Sequence, residues 1–101
     1  MAKIGRHKFS YAYISKDTGE LCDVEISLRV ENDKMKILIQ SNDDRNIERD
    51  LPEILNKLQQ NQLLKADISI LEDCIVYVKY PNQENDKKVE IMDENFTIKV
   101  Q

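Results

Sequence analysis

The stretch LCDVEISLRV, residues 21–30, decides the fold class of this chain. Its apolar side chains stand at every second position and alternate with polar or charged ones. In an extended segment this spacing places all the apolar side chains on one face and the polar ones on the other. The segment is therefore predicted to be a half-buried β-strand, with a core face made of Cys22, Val24, Ile26, Leu28 and Val30.

Strands are predicted on both sides of this segment. Residues 8–14 precede it across the sequence KDTG, in which Gly19 can adopt the positive φ that a tight hairpin requires. Residues 35–40 follow it across the turn Asn32-Asp33-Lys34. Together the three strands form a predicted antiparallel meander.

An amphipathic helix is predicted from Leu51 to about Asn61. Asp50 can cap its first N–H groups, and Glu53 three residues later can reach back to complete a capping box. Pro52 is tolerated in the first turn of a helix. The helix is expected to lie on a sheet through apolar residues at helical spacing, namely Leu51, Ile54, Leu55 and Leu58.

Alternation with period two returns after the helix and predicts strands at residues 66–71, 74–80, 89–92 and 96–100. The predicted order is βββ-α-ββββ. Since only one helix separates the strands, we expect a mostly antiparallel sheet with the helix packed on one face. A chain of 101 residues is too short for two cores, so residues 1–101 are predicted to be a single α+β domain.

The charge distribution and the composition make several classes of protein function less probable for this sequence. The net charge is −4, but residues 1–16 carry +4 and the rest of the chain carries −8, which disfavours direct binding to nucleic acid. No apolar run of the sequence reaches membrane-spanning length, and we expect no signal peptide, because the opening MAKIGRHKFSYAYIS lacks an apolar core of the required length. Cys22 and Cys74 lack the spacing of a zinc or CxxC site, so we expect free thiols, no metal, no cofactor and a cytoplasmic location.

The aromatic side chains of residues 8–14 are the most informative local feature. Phe9, Tyr11 and Tyr13 alternate and therefore share one face of the strand. A type I turn with Gly19 in a bulge sets these rings opposite polar residues of the next strand, on the solvent face. A symmetrical four-residue loop shifts the register by one residue and turns the rings to the core. The glycine slightly favours the first register.

The favoured register predicts a partner-binding surface. Tyrosine and phenylalanine rings would stand beside carboxylates and could meet Arg and Lys side chains of a partner through ion pairs and cation–π contacts. This candidate site consists of Phe9, Tyr11, Tyr13, Asp23 and Glu25.

The sequence contains no nucleophile with a base at motif spacing and no phosphate-binding loop, so we predict a non-enzymatic binding protein. In size and charge it is similar to the anti-CRISPR, toxin-immunity and nucleic-acid-mimic inhibitors of phages and plasmids. This similarity suggests an acidic inhibitor that occludes a basic groove of a nucleic-acid-processing enzyme. Two alternatives stay open: an adaptor that assembles through a sheet edge or face, including homo-oligomers, and a single-strand nucleic-acid module that adds Lys3, Arg6 and Lys8 to the aromatic strand.

Overall fold

The alternating stretch forms the longest strand of the computed structural model, which describes residues 7–43, 45–60 and 69–101. This strand, β2 (Leu21–Glu31), pairs antiparallel with β1 (His7–Ile14) and with β3 (Lys34–Ser41). Asn32 and Asp33 join β2 to β3 with positive φ angles of 52° and 64°, as a two-residue hairpin turn requires. The predicted meander is confirmed.

The remaining elements are α1 (Leu51–Gln60), α2 (Ile70–Asp73), β4 (Cys74–Lys79), β5 (Lys87–Ile91) and β6 (Ile98–Val100). The six strands lie in the order β1-β2-β3-β4-β5-β6. Each neighbouring pair is antiparallel except β3 and β4, which are parallel because the crossover containing α1 returns the chain to the end where β3 began. The predicted α+β domain with a mostly antiparallel sheet is confirmed.

The strand predicted at residues 66–71 is wrong where it can be examined. Residues 66–68 lie outside the described residues, whereas Ile70 and Leu71 belong to the single turn α2. The backbone N–H groups of Glu72 and Asp73 donate to the carbonyl oxygen of Ser69, and the Asp73 carboxylate accepts from the Ser69 N–H. These local bonds close a helical turn directly before β4, so the described order is βββ-αα-βββ.

Helix α1 covers one face of the sheet. It begins after Asp50, whose carbonyl oxygen accepts from the Ile54 N–H at 3.0 Å. Its apolar stripe is fully buried and joins the alternating side chains of the central strands in one core, which includes Leu51, Ile54, Leu55, Leu58, Val24, Ile26, Ile37, Ile39, Val76 and Val78. The other face of the sheet has no helix over it among the described residues.

The hairpin between β1 and β2 has the register that the sequence favoured less. The Ser15 N–H donates to the Glu20 carbonyl at 2.9 Å and closes a symmetrical four-residue loop. Gly19, at φ 73°, lies inside this loop and donates to the Ser15 carbonyl. The aromatic residues therefore pair with the core-facing residues Ile26, Val24 and Cys22. The prediction of a solvent-facing register is wrong.

Candidate functional site

The five residues predicted to bind a partner do not form one surface. Tyr13 is only 7% exposed and belongs to the core, while Phe9 and Tyr11 are half-buried against it on the helix side of the sheet. Asp23 and Glu25 point to the opposite face, where Glu25 pairs with Lys8 at 2.6 Å. The expected combination of rings and carboxylates is therefore absent at these residues, and their role in partner binding stays a prediction.

Tyr13 instead contacts a buried carboxylate. Its hydroxyl donates to Oδ2 of Asp50 at 3.1 Å, and the Ser15 hydroxyl donates to the same oxygen at 3.1 Å. The backbone N–H of Lys16 donates to Oδ1 at 3.2 Å. Asp50 is fully buried, and its side chain joins the β1–β2 loop to the start of α1.

The predicted capping box does not form among the described residues. The Asp50 carboxylate is engaged by the hairpin, and Oε2 of Glu53 is buried without a hydrogen-bond partner. Burial, followed by the nearby Asp50 charge, raises the pKa of Tyr13, and burial followed by the Glu53 charge raises the pKa of Tyr11. Tyr13 and Asp50, predicted to lie in an interface and a helix cap, therefore join in a hydrogen-bonded contact of the interior.

A cleft of about 340 Å³ lies on the uncovered face of the sheet and is lined by Lys8, Arg29 and Lys36 among others. Each of these cations has a carboxylate nearby. Lys8 pairs with Glu25 at 2.6 Å, Arg29 pairs with Glu31 at 2.9 Å, and Lys36 lies 4.0 Å from Asp86. Because the charges are balanced, the cleft offers no excess positive charge to an anion.

One end of the sheet collects three segments that are far apart in the chain. The turn between β2 and β3, helix α2 before β4, and the turn after β5 all lie there, because β4 is parallel to β3 and antiparallel to β5. The 2.8 Å hydrogen bond from Lys34 Nζ to the Glu72 carbonyl joins the first two segments. We call this surface the acidic end; it consists of Val30, Asp33, Leu71, Glu72, Asp73, Met92, Asp93 and Glu94.

Large apolar side chains are exposed among the carboxylates of the acidic end. Val30 is 54% exposed, Leu71 41% and Met92 57%. All five carboxylate residues are exposed as well, and none forms an ion pair with a residue that the structure describes. Hydrogen bonds from Thr97 lower the pKa of Asp93. The acidic end thus combines apolar contact area with an excess of negative charge, because five exposed carboxylates lie there beside the cation of Lys34.

The opposite end of the sheet has a different charge arrangement. Arg49 pairs with Asp17 at 3.2 Å, and Arg45 lies 3.5 Å from Asp43 and 4.0 Å from Glu20. These ion pairs tie the β1–β2 loop and the linker before α1 together. Asp23, on the same face of β2 as the exposed Leu21, is a single acid there without an ion pair to a described residue, whereas the acidic end has five.

The sequence analysis missed the acidic end, although each segment shows the same local signal. In each, an apolar residue is followed within three positions by two acids: VEND at 30–33, LED at 71–73 and MDE at 92–94. Acids at turns are ordinarily solvated and carry no meaning alone. Only the strand order reveals that the three segments meet.

The remaining groups that could take part in chemistry are the two cysteine thiols and possible metal ligands. Cys22 and Cys74 are free thiols, and burial, with the Asp73 charge second, raises the pKa of Cys74 to about 12. Arg45 donates to the sulfur of the buried Cys22. Within residues 7–43, 45–60 and 69–101, no group of three His, Cys, Asp or Glu side chains could hold a metal ion.

Neither described helix is long and apolar enough to cross a membrane. Comparisons with protein-family models, curated proteins and solved structures gave no match to this chain. The geometry of the chain itself must therefore carry the functional argument.

Proposed function

We propose that this protein is a non-enzymatic binding protein that docks its acidic end onto a basic surface of another protein. The observation that carries the proposal is a set of five exposed carboxylates, none in an ion pair with a described residue, around three exposed apolar side chains on one end of the sheet. Apolar side chains in the middle of a patch exclude water, and charges around them select a partner of opposite sign. A basic partner fits this arrangement.

The basic groove of a nucleic-acid-processing enzyme is the partner surface we propose. Such a groove presents rows of Lys and Arg that ordinarily meet phosphates. Carboxylates spread over three turns of a rigid sheet can occupy the same cations. In this role the protein is a small acidic inhibitor of the immunity type, and it acts by blocking access rather than by chemistry.

A charge-reversal pair tests the location of the binding surface. Glu72→Lys with Glu94→Lys reverses two exposed acids whose side chains make no hydrogen bond to a described residue. The control, Asp23→Lys with Glu84→Lys, gives the same net charge but changes two exposed acids toward the opposite end of the sheet that form no ion pair with a described residue. We expect the acidic-end pair to weaken partner binding by at least tenfold, or about 1.4 kcal/mol, and the control to weaken it much less.

The assay has two steps. First, we identify the proteins of a host lysate that bind to the wild type and to the control but not to the acidic-end double variant. Second, the nuclease or polymerase activity of these proteins is measured with and without the wild-type protein. Inhibition that weakens as salt rises supports the proposal, because salt screens charge pairing at exposed surfaces. Identical captured proteins for both double variants, or a captured enzyme that stays fully active, would contradict it.

The nucleic-acid alternative is tested separately. Lys3 and Arg6 lie outside the described residues, and the rings of Phe9 and Tyr11 pack against the core on the helix side of β1. This position leaves little ring surface for stacking bases. A gel shift with single-stranded RNA at low salt is expected to show no complex, and a salt-sensitive shift would favour this alternative over the acidic-end proposal.

A further inference from the structure

The outer edge of β1 is long, and no strand of the described residues pairs with it. The other edge of the sheet, β6, has only three residues. Natural edge strands are protected from pairing by shortness, charge, proline or bulges. Strand β1 has eight residues without proline, and Lys8 is its only Lys, Arg, Asp or Glu.

The register of the hairpin shows which backbone groups face outward. The Ser15 N–H donates to the Glu20 carbonyl, and antiparallel strands alternate between hydrogen-bonded and non-hydrogen-bonded pairs. Tyr13, Tyr11 and Phe9 therefore direct their N–H and C=O groups toward β2. The outward groups belong to the other residues of the strand, namely Lys8, Ser10, Ala12 and Ile14.

We propose that a second copy of this chain pairs with the outer edge of β1, so that two sheets join into one across a two-fold axis at Tyr11. In this register Lys8 lies opposite Ile14 of the partner subunit, and Ser10 lies opposite Ala12 of the partner subunit. The outward N–H and C=O groups of these pairs bond to one another in both directions. This register pairs every residue from Lys8 to Ile14 with a residue of the partner strand, and it places no two charges of the same sign opposite each other.

Side chains on both faces fit this pairing. Phe9 and Tyr11 are half-buried at the margin of the core, and the two-fold brings Tyr11 opposite its own copy and Phe9 opposite Tyr13 of the partner subunit. On the uncovered face, Ile14 and Leu21 are 58% and 72% exposed and lie side by side. The aliphatic stem of the facing Lys8 can cover this apolar pair, while its ammonium stays at the surface beside Glu25 of its own chain.

Analytical ultracentrifugation over a concentration series tests the pairing, because a dimer dissociates on dilution by mass action. The test variant is Ala12→Pro, which removes an outward N–H and leaves the ladder to β2 intact. The matched control is Ala12→Val, which keeps that N–H. We expect the wild type and the control to reach the mass of two chains, and the proline variant to dissociate at least about tenfold more readily.

Circular dichroism verifies that each variant is folded, and hydrogen exchange supplies a measurement that needs no variant. The Ser10 and Ala12 amides of the wild type are expected to gain protection as the protein concentration rises. A wild type that stays monomeric throughout the series, equal dissociation constants for the two variants, or protection that is independent of concentration would each overturn the proposal.

Discussion

Asp50→Ala is the substitution that we expect to reveal most about what holds this fold together. It removes a fully buried carboxylate that accepts hydrogen bonds from Tyr13, Ser15 and the Lys16 backbone. The first two donors are buried, at 7% and 2% exposure, so water does not readily replace the lost acceptor. The hairpin and the start of α1 would lose their shared anchor.

The magnitude follows from the two buried hydroxyl groups. A buried donor left without an acceptor costs about 1–3 kcal/mol, so two cost about 2–6 kcal/mol. Removing the desolvated carboxylate returns part of this, since a buried charge is itself costly. We expect a net loss of about 2–4 kcal/mol, a large share of the roughly 5–15 kcal/mol that stabilises a typical domain.

Urea unfolding followed by circular dichroism measures this loss as a shift of the transition midpoint. Asp23→Ala is the control, because Asp23 is an exposed acid on β2 whose side chain makes no hydrogen bond or ion pair with a described residue. Tyr13→Phe should cost about 1–2 kcal/mol and should not add to Asp50→Ala in the double variant, since both remove the same bond. A cost below about 1 kcal/mol for Asp50→Ala, or full additivity, would refute the reasoning.

Two further predictions concern pH and the hairpin loop. Burial raises the pKa of Tyr13 and raises that of Tyr80 to about 12, so the folded protein keeps protons that the unfolded chain loses near pH 10. Stability should begin to decline near pH 9, where the unfolded chain loses the Cys74 proton that the folded protein keeps, and should fall more steeply between pH 10 and 12 as the tyrosines contribute. In Tyr80→Phe the slope above pH 10 should be shallower by up to about 1.4 kcal/mol per pH unit, and parallel curves in alkaline urea titrations would contradict this. Gly19→Ala should lower the free energy of unfolding by only about 1–2 kcal/mol in the same urea assay. The added Cβ meets nothing within 4 Å, so the cost comes from the φ of 73° alone. A larger loss would contradict this explanation.

Local patterns were sufficient for the elements whose periodicity is strong. Strand β2 alternates without interruption, and α1 has four apolar residues at helical spacing, so both were predicted within one or two residues of their observed bounds. The register of β1 was not predictable in this way. Its two faces, one with Phe9 and Tyr11 and the other with Ala12 and Ile14, could each pack against a core, and the two candidate loops differ by one residue.

The contacts that accompany the register are distant in sequence. Tyr13 and Ser15 meet Asp50 across 37 and 35 residues, and no local rule connects them. Asp50 was correctly placed at a helix start, but its side chain serves the hairpin rather than the first turn. The parallel pairing of β3 and β4 is likewise a consequence of where the crossover returns, which propensity does not encode.

The same topology determines how the two proposed surfaces combine. Strand β1 runs from the acidic end toward the opposite end, since it is antiparallel to β2, whose last residues lie at the acidic end. A two-fold axis that pairs β1 with the β1 strand of a second copy therefore places the two acidic ends at opposite ends of the strands in the joined sheet. Each end keeps its exposed apolar and acidic side chains, because none of them lies on β1. A dimer should consequently bind two partner molecules, and the Ala12→Pro monomer should bind one with the same affinity per site.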